Sequence, residues 1–170
     1  MIYLGIGSNL PSTFGDRFDN INFAVEHLKK HQIEINRRSS FYETPSYPNQ
    51  ENPKFINIVI NIKTSLSLKD LILAIIDTEK KLKRKRKVKN DPRTCDIDII
   101  DYKGQVLISK YFEDEFIVPH RYLSLRSFVL LPLYEICPEW QHPSTNETVT
   151  ELINKLPKED KKTILKIKKN

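Results

Sequence analysis

The chain predicts an α+β fold, a mainly antiparallel sheet with helices packed on its faces, and three observations carry that expectation. Short segments of alternating apolar residues recur along it, two stretches with helical apolar spacing lie between them, and neither an internal repeat nor a long linker breaks the order. A length of 170 residues suits one domain with a core of its own. The expected division is a domain over 1–156 followed by a basic tail, 157–170, of unassigned structure.

The elements follow in order. Ile2, Leu4 and Ile6 alternate with Tyr3, Gly5 and Gly7, which predicts a first strand running into a turn at Gly7-Ser8-Asn9. Ile21, Ala24, Val25 and Leu28 stand at the spacing of one buried helical stripe, with a start near Asp16 or Arg17. Residues 33–42 read as extended, and the segment 44–53, with Pro45, Pro48 and Pro53, reads as a loop. Over 55–62 the alternation is clean: Ile56, Ile58, Ile60 and Ile62 share one face, Phe55, Asn57, Val59 and Asn61 the other. Ser67 and Asp70 resemble a helix start, and Leu68, Leu71, Ile72, Ile75, Glu79 and Leu82 continue it as a stripe into a basic run. A strand over 94–102 comes next, then a turn at Lys103-Gly104 and a short return strand over 105–108. Pro119-His120 and the segment 126–133 precede a Pro-rich close, and Ile164, Leu165 and Ile167 among lysines fit a final strand, a short helix or a frayed tail.

The most informative feature is Asp96-Ile97-Asp98. In a strand these two acids share one surface while Cys95, Ile97 and Ile99 point into the core. Like charges so placed raise each other's pKa unless a cation lies between them, and a hard divalent metal is the natural occupant. The plainer reading is a solvated strand edge with two ordinary acids, because the spacing alone is short and common.

Composition bounds the rest. The net charge of +6 is concentrated: residues 80–89 hold eight Lys or Arg in ten positions, and lysines crowd 161–169. Such runs are solvated loops, nucleic-acid patches or clamps for polyphosphate. No stretch nears the roughly 18 consecutive apolar residues of a membrane span, and the N-terminus lacks the pattern of a secretory signal, so a soluble, cytoplasmic protein is expected. Cys95 and Cys137 lack metal-ligand spacing and read as buried, reduced thiols.

Six motifs in one order resemble a known family, the 6-hydroxymethyl-7,8-dihydropterin pyrophosphokinases: YLGIGSNL at 3–10, SSFYETP at 39–45, FIN at 55–57, PRTCDIDII at 92–100, PH at 119–120 and RSFVLLPLYEICP at 126–138. The resemblance covers about residues 2–145 and implies a ferredoxin-like sheet and transfer of diphosphate from ATP to a pterin alcohol in folate biosynthesis. It implies two Mg²⁺ ions on Asp96 and Asp98, and a catalytic set of Arg84, Arg93, Asp96 and Asp98. Arg84, Arg86, Arg93 and His120 correspond to phosphate contacts, and Glu79, Ile99 and Arg126 join them around ATP. Guanidinium groups suit the task because their fork binds phosphate oxygens bidentately. For the pterin the resemblance implies Thr44, Pro45, Ser46, Tyr47, Phe55, Asn57, Asp96 and Phe128. A flat, amide-rich ring needs aromatic faces and in-plane hydrogen-bonding groups, and Phe55 and Asn57 on one strand face offer both. Each has a plainer reading too: the two phenylalanines as core, and any one arginine of the dense run as solvated charge.

The segments 44–53 and 83–91 resemble the family's closing loops, although Lys83, Asn90 and Asp91 replace residues common there. Expected partners are ATP and the pterin, with neither nucleic acid nor membrane, acting on a monomer. Two other classes stay open: a basic nucleic-acid-binding domain, which leaves the two acids unexplained, and a metal-dependent nucleotidyl- or sugar-transferase using the acid pair alone.

Overall fold

Alternation of isoleucine along one central strand organises the molecule. The computed structural model describes residues 1–47, 49–84, 91–111 and 114–169. The main sheet contains β1 (Ile2–Ser8), β2 (Glu34–Arg38), β3 (Phe41–Thr44), β4 (Phe55–Lys63), β5 (Asp96–Tyr102) and β8 (Leu165–Ile167). Its order is β5-β1-β4-β3-β8, with β2 also on β4, and every pairing is antiparallel. Helices α1 (Arg17–Lys29), α2 (Leu68–Lys81), α3 (Ser127–Ile136), α4 (Val149–Lys155) and α5 (Lys158–Thr163) complete it, with β6 (Leu107–Tyr111) and β7 (Asp114–Val118) as a separate two-stranded ribbon.

The two faces of the sheet bury different clusters. On one, Ile2, Leu4, Ile6, Ile56, Ile58, Ile60, Ile62, Ile97 and Ile99 pack against Ile21, Ala24, Val25 and Leu28 of α1 and Leu71, Ile72 and Ile75 of α2. Each such side chain contributes about 1.5–3 kcal/mol by leaving water. On the other, Tyr3, Val59 and Ile100 meet Val129, Leu130 and Leu133 of α3, Trp140, and Val149 and Leu152 of α4. The caps follow the sequence expectation: Asp16 accepts from the Phe18 and Asp19 amides and Ser67 from that of Asp70.

Two details differ from the sequence reading, and a third resolves an alternative it left open. The extended segment 33–42 divides into β2 and β3 because Ser39 replaces a ladder position: its Oγ accepts from Val59 N at 2.9 Å while its own N–H donates to Val59 O. The short return strand after Gly104 does not fold back on β5; it begins at Leu107 and pairs with β7. Of the three readings left open for 164–167, a strand is what forms, β8 adding to the edge at β3. No described helix is long and apolar enough to cross a membrane.

Glu135 ties α3 to that edge. Its carboxylate accepts from Tyr42 Oη at 2.7 Å and Ser40 Oγ at 2.8 Å, and pairs with Lys166 of β8 at 3.1 Å. Partial burial would raise its pKa, but the bonds from Tyr42, Ser40 and Lys166 outweigh that and hold it below the ordinary carboxylate value. A depressed folded-state pKa gives stability that is full above the unfolded value of about 4.3 and is lost as pH falls through the folded one. Urea midpoints measured from neutral pH down to about pH 3 should therefore fall more steeply for the natural chain than for Glu135→Gln; equal slopes would show that this carboxylate is not what links the two elements.

Candidate active site

On the face that carries Tyr3, the central strand β1 has no side chain at two successive outward positions. Gly7 lies between Asn57 of β4 and Asp96 of β5, and Gly5 between Val59 and Asp98. A Cβ at Gly7 would stand 2.9 Å from Asn57 Oδ1 and 3.6 Å from the Phe55 ring, and one at Gly5 would meet Ile100 at 3.4 Å. Glycine here keeps a trough open along β1. Phe55 and Asn57 form one wall, Asp96 and Asp98 the other, and α3 with α4 covers the face only beyond Gly5, over Tyr3, Val59 and Ile100.

The two acids do share a surface. Ile97 between them is buried in the opposite cluster, whereas the Asp96 and Asp98 side chains keep 20% and 32% of their exposure. Positive charge surrounds them. Arg84 Nη2 is 2.7 Å and Arg93 Nε 2.9 Å from the two oxygens of Asp96, and Arg126 Nη1 is 2.9 Å from Asp98 Oδ2. Glu79, buried at the end of α2, accepts from the Ile97 amide at 2.9 Å and also pairs with Arg84. Burial alone would lower the Arg84 pKa; Asp96, Glu79 and Asp98 together reverse that and hold it above the usual guanidinium value.

Two guanidinium groups also reach aromatic rings: Arg93 lies 5.3 Å from the Phe55 centroid and Arg126 5.4 Å from that of Phe128. His120 follows the cis Val118-Pro119 bond. Burial lowers its pKa, with Asp98 opposing, so the imidazole is neutral. Its Nδ1 accepts from the Tyr122 amide at 3.1 Å, which assigns the proton to Nε2.

Around Asn57 the loop 44–53 is pinned rather than loose. Asn57 Nδ2 donates to Thr44 Oγ1 at 3.0 Å, which leaves Oδ1 turned toward Gly7. Ser46 Oγ donates to Pro53 O at 2.7 Å. Asn9, which the sequence reading placed only in a turn, is the residue that joins these parts. Its Nδ2 donates to Ser46 Oγ and Pro53 O, and its Oδ1 accepts from the Arg93 amide at 2.6 Å. The Asn9 and Leu10 amides in turn bond Arg93 O at 3.1 and 3.2 Å. The Gly7-Ser8-Asn9 turn was the one signal that could have marked it, since a polar residue after a glycine-bearing strand end is placed to bond neighbouring backbone.

Most of the expected residues thus meet: Glu79, Arg84, Arg93, Asp96, Asp98, His120, Arg126 and Phe128 around one end of β5, and Thr44, Ser46, Phe55 and Asn57 across the trough. Pro45 is half-buried beside them in sequence. Two side chains lie apart from the others: that of Ile99 is buried in the opposite core, so only its backbone is on offer at this strand, and Tyr47 is 85% exposed, which leaves its backbone, the part the resemblance implies. Arg86, with most of the basic run, lies outside the described residues, as does Pro48.

The chain is similar to known proteins over most of its length. The profile of the family 7,8-dihydro-6-hydroxymethylpterin-pyrophosphokinase (HPPK) matches residues 3–138. The chain is 38% identical over 150 residues to the 2-amino-4-hydroxy-6-hydroxymethyldihydropteridine pyrophosphokinase of Aquifex aeolicus, covering 88% of each chain. With the Bacillus subtilis protein of the same name it shares 34% over 145 residues, 85% of this chain and 82% of that one. It is also 35% identical over 157 residues to the folic acid synthesis protein FOL1 of Dictyostelium discoideum, of which it spans only 22%. In fold it is like Plasmodium falciparum HPPK-DHPS, with a TM-score of 0.69 and 16% identity, over 91% of this chain and 44% of that one. Matched over most of its length by the profile and by relatives above 30% identity, the chain belongs to the HPPK family, the pterin pyrophosphokinases of folate biosynthesis.

Proposed function

We propose that this chain transfers diphosphate from ATP to the hydroxymethyl group of 6-hydroxymethyl-7,8-dihydropterin, yielding AMP and the pterin diphosphate, with Mg²⁺ held by Asp96 and Asp98. The observation that carries the reading is the trough itself: an acid pair and its arginines on one wall, an aromatic ring and a fixed carboxamide on the other, with nothing on β1 to fill the space between.

The donor set fits the metal. Magnesium takes one or two carboxylates together with phosphate oxygens and water, and two half-exposed aspartates on one strand face are such a pair. When bound it would neutralise phosphate charge. The remaining work falls to the chain. Arg84, Arg93 and Arg126, paired with the carboxylates here, are placed to exchange those partners for phosphate oxygens, with Arg86 a further candidate from the same run. His120, neutral with its proton on Nε2, offers a hydrogen-bond donor without adding charge. Glu79 holds Arg84 and the Ile97 amide and so positions the strand that bears both acids.

For the pterin, Phe55 supplies a ring face, and Phe128 is the second aromatic proposed to enclose it. Because Asn57 Nδ2 is engaged by Thr44, the free Oδ1 is an acceptor, matched to an amino or N–H group on the ring edge. Thr44, Pro45, Ser46 and Tyr47 are proposed to complete that edge, in a segment tied to Asn9 through Ser46 and Pro53; most of the segment 83–91 lies outside the described residues. Diphosphate transfer asks little covalent help of a protein, so alignment and charge compensation are what the site must provide. The order β5-β1-β4-β3, with α1 and α2 on one face, supports reading the sheet as ferredoxin-like. A cytoplasmic monomer is the proposed working state.

With ATP, Mg²⁺ and the pterin alcohol, the purified protein should release AMP, and removal of the metal with a chelator should stop it. Formation of ADP, or turnover independent of the pterin, would reject the assignment. Asp98→Ala should lower kcat by about 10³-fold or more while the unfolding free energy from urea titration stays within about 1 kcal/mol of the natural chain, as expected for a partly exposed charge that acts in the transition state. Near-normal kcat in that variant would show the acid pair to be incidental.

Gly7→Ala gives a separate check on the trough. Its added Cβ must displace Asn57 Oδ1, 2.9 Å away, so the pterin KM should rise about tenfold or more with little change in the ATP KM. An unchanged pterin KM would place the ring elsewhere.

A further inference from the structure

The helices on the other face of the sheet carry a second cluster of competent side chains that the reaction above does not use. His27 in the last turn of α1, His31 just beyond it and Asp77 of α2 each bring one ligand atom within 4.8 Å of the others. His31 Nε2 is 3.2 Å and His27 Nε2 3.7 Å from the same oxygen, Asp77 Oδ2. Ligand atoms about 2.0–2.1 Å from a tetrahedral ion stand about 3.3 Å from one another, so the two separations straddle the ideal.

The hydrogen bonds around His27 decide which nitrogen is presented. Thr78 Oγ1 donates its proton to Ala74 O at 2.8 Å, and so meets His27 Nδ1, 3.2 Å away, with a lone pair. Neutral His27 therefore carries its proton on Nδ1 and turns the Nε2 lone pair toward Asp77 Oδ2. Two acceptors then face each other at 3.7 Å, an arrangement that a cation between them would satisfy. The bond from Nδ1–H to Thr78 is the outer partner that a metal-binding histidine ordinarily has, fixing tautomer and ring plane. Phe23 stacks on the same ring, with centroids 5.6 Å apart. His31 and Asp77 keep 31% and 43% of their side-chain exposure, which leaves a path from solvent and a fourth position for water.

We propose that His27 Nε2, His31 Nε2 and Asp77 Oδ2 form a site for a divalent first-row transition ion of zinc's class, clasping α1 to α2 on the side of the sheet away from Asp96 and Asp98. Two imidazoles and one carboxylate favour zinc, cobalt, nickel or copper over magnesium and calcium, which prefer oxygen ligands alone. The site stands apart from the diphosphate-transfer reading, because none of its three residues faces the trough.

The test uses untagged, full-length protein equilibrated with Zn²⁺ in the presence of excess Mg²⁺, which occupies the aspartate pair. Elemental analysis after dialysis should find one more zinc per chain in the natural protein than in the double variant His31→Gln, Asp77→Asn. Zinc should raise the thermal midpoint of the natural protein and not that of the variant. Co²⁺ in place of zinc should give the visible absorption of a four-coordinate ion, lost in the variant. If the double variant does not fold, Asp77→Asn alone serves, its side chain being the most exposed of the three. Equal zinc in both proteins, or none in the natural one, overturns the proposal, as does cobalt absorption that survives the substitution.

Discussion

Two carboxylates held two residues apart on one strand face repel each other, and the need to compensate that charge shapes everything around β5. At about 6.6 Å along an extended strand and an effective dielectric of about 20, the repulsion is on the order of 2–3 kcal/mol. Arg84, Arg93 and Arg126 meet it from three parts of the chain: the end of α2, the segment before β5 and the start of α3. Each of these cations must also be kept from collapsing elsewhere. Glu79 shares Arg84, while Phe55 and Phe128 lie beside Arg93 and Arg126. Charge compensation thus joins the acid wall of the trough to its aromatic wall through Arg93.

Residues that touch no substrate in the proposed mechanism do much of the positioning. Asn9 lies 1% exposed and bonds the Arg93 amide, Ser46 and Pro53 at once, so the loop 44–53 and the segment that carries Arg93 are fixed to one side chain. Glu79 does the same for α2 and β5 through the Ile97 amide. A buried carboxylate is costly unless it is hydrogen-bonded, and here a backbone donor and a guanidinium both bond Glu79 Oε1. Apart from the Glu79–Arg84 pair these are tertiary bonds over 18 residues or more, between segments whose proximity exists only once the sheet has formed.

That is also why the chain disclosed some of this and concealed the rest. Strand alternation placed Asp96 with Asp98 and Phe55 with Asn57, and the helical stripes of α1 and α2 were plain, because each depends on local period alone. The division of 33–42 at Ser39 was hidden, since a serine hydroxyl standing in for a ladder bond leaves no periodic trace. The pairing of β6 with β7 is hidden for a related reason: without β7, over 114–118, the return strand has no partner but β5. Gly5 and Gly7 were read only as alternating residues of a strand; their importance appears when β4 and β5 flank them in register. Ile99 illustrates the limit of family resemblance, for a match in sequence does not say whether side chain or backbone faces the site.

The transition from open trough to closed core within a single sheet face has a specific cause. Along β5 the register shifts between Tyr3 and Leu4 of its partner, so Ile99 pairs with Leu4 but Asp101 pairs with Tyr3, and Ile100 is the extra residue. A bulge of this kind increases local twist and re-aims side chains. Ile100 keeps the face of Asp96 and Asp98, in the cluster under α3 and α4, and the shift brings Asp101 onto it too, where it accepts from Trp140 Nε1 at 2.8 Å, so two consecutive residues serve the covered part of the face. Before the bulge the same face carries Asp96 and Asp98, half exposed; after it, Tyr102 returns to the opposite core. Without the shift, strict alternation would turn Asp101 into the isoleucine core beneath α1 and α2 and leave the Trp140 indole N–H unpaired, so the bulge is what lets one seven-residue strand hold two metal-competent acids at one end and anchor a helical layer at the other.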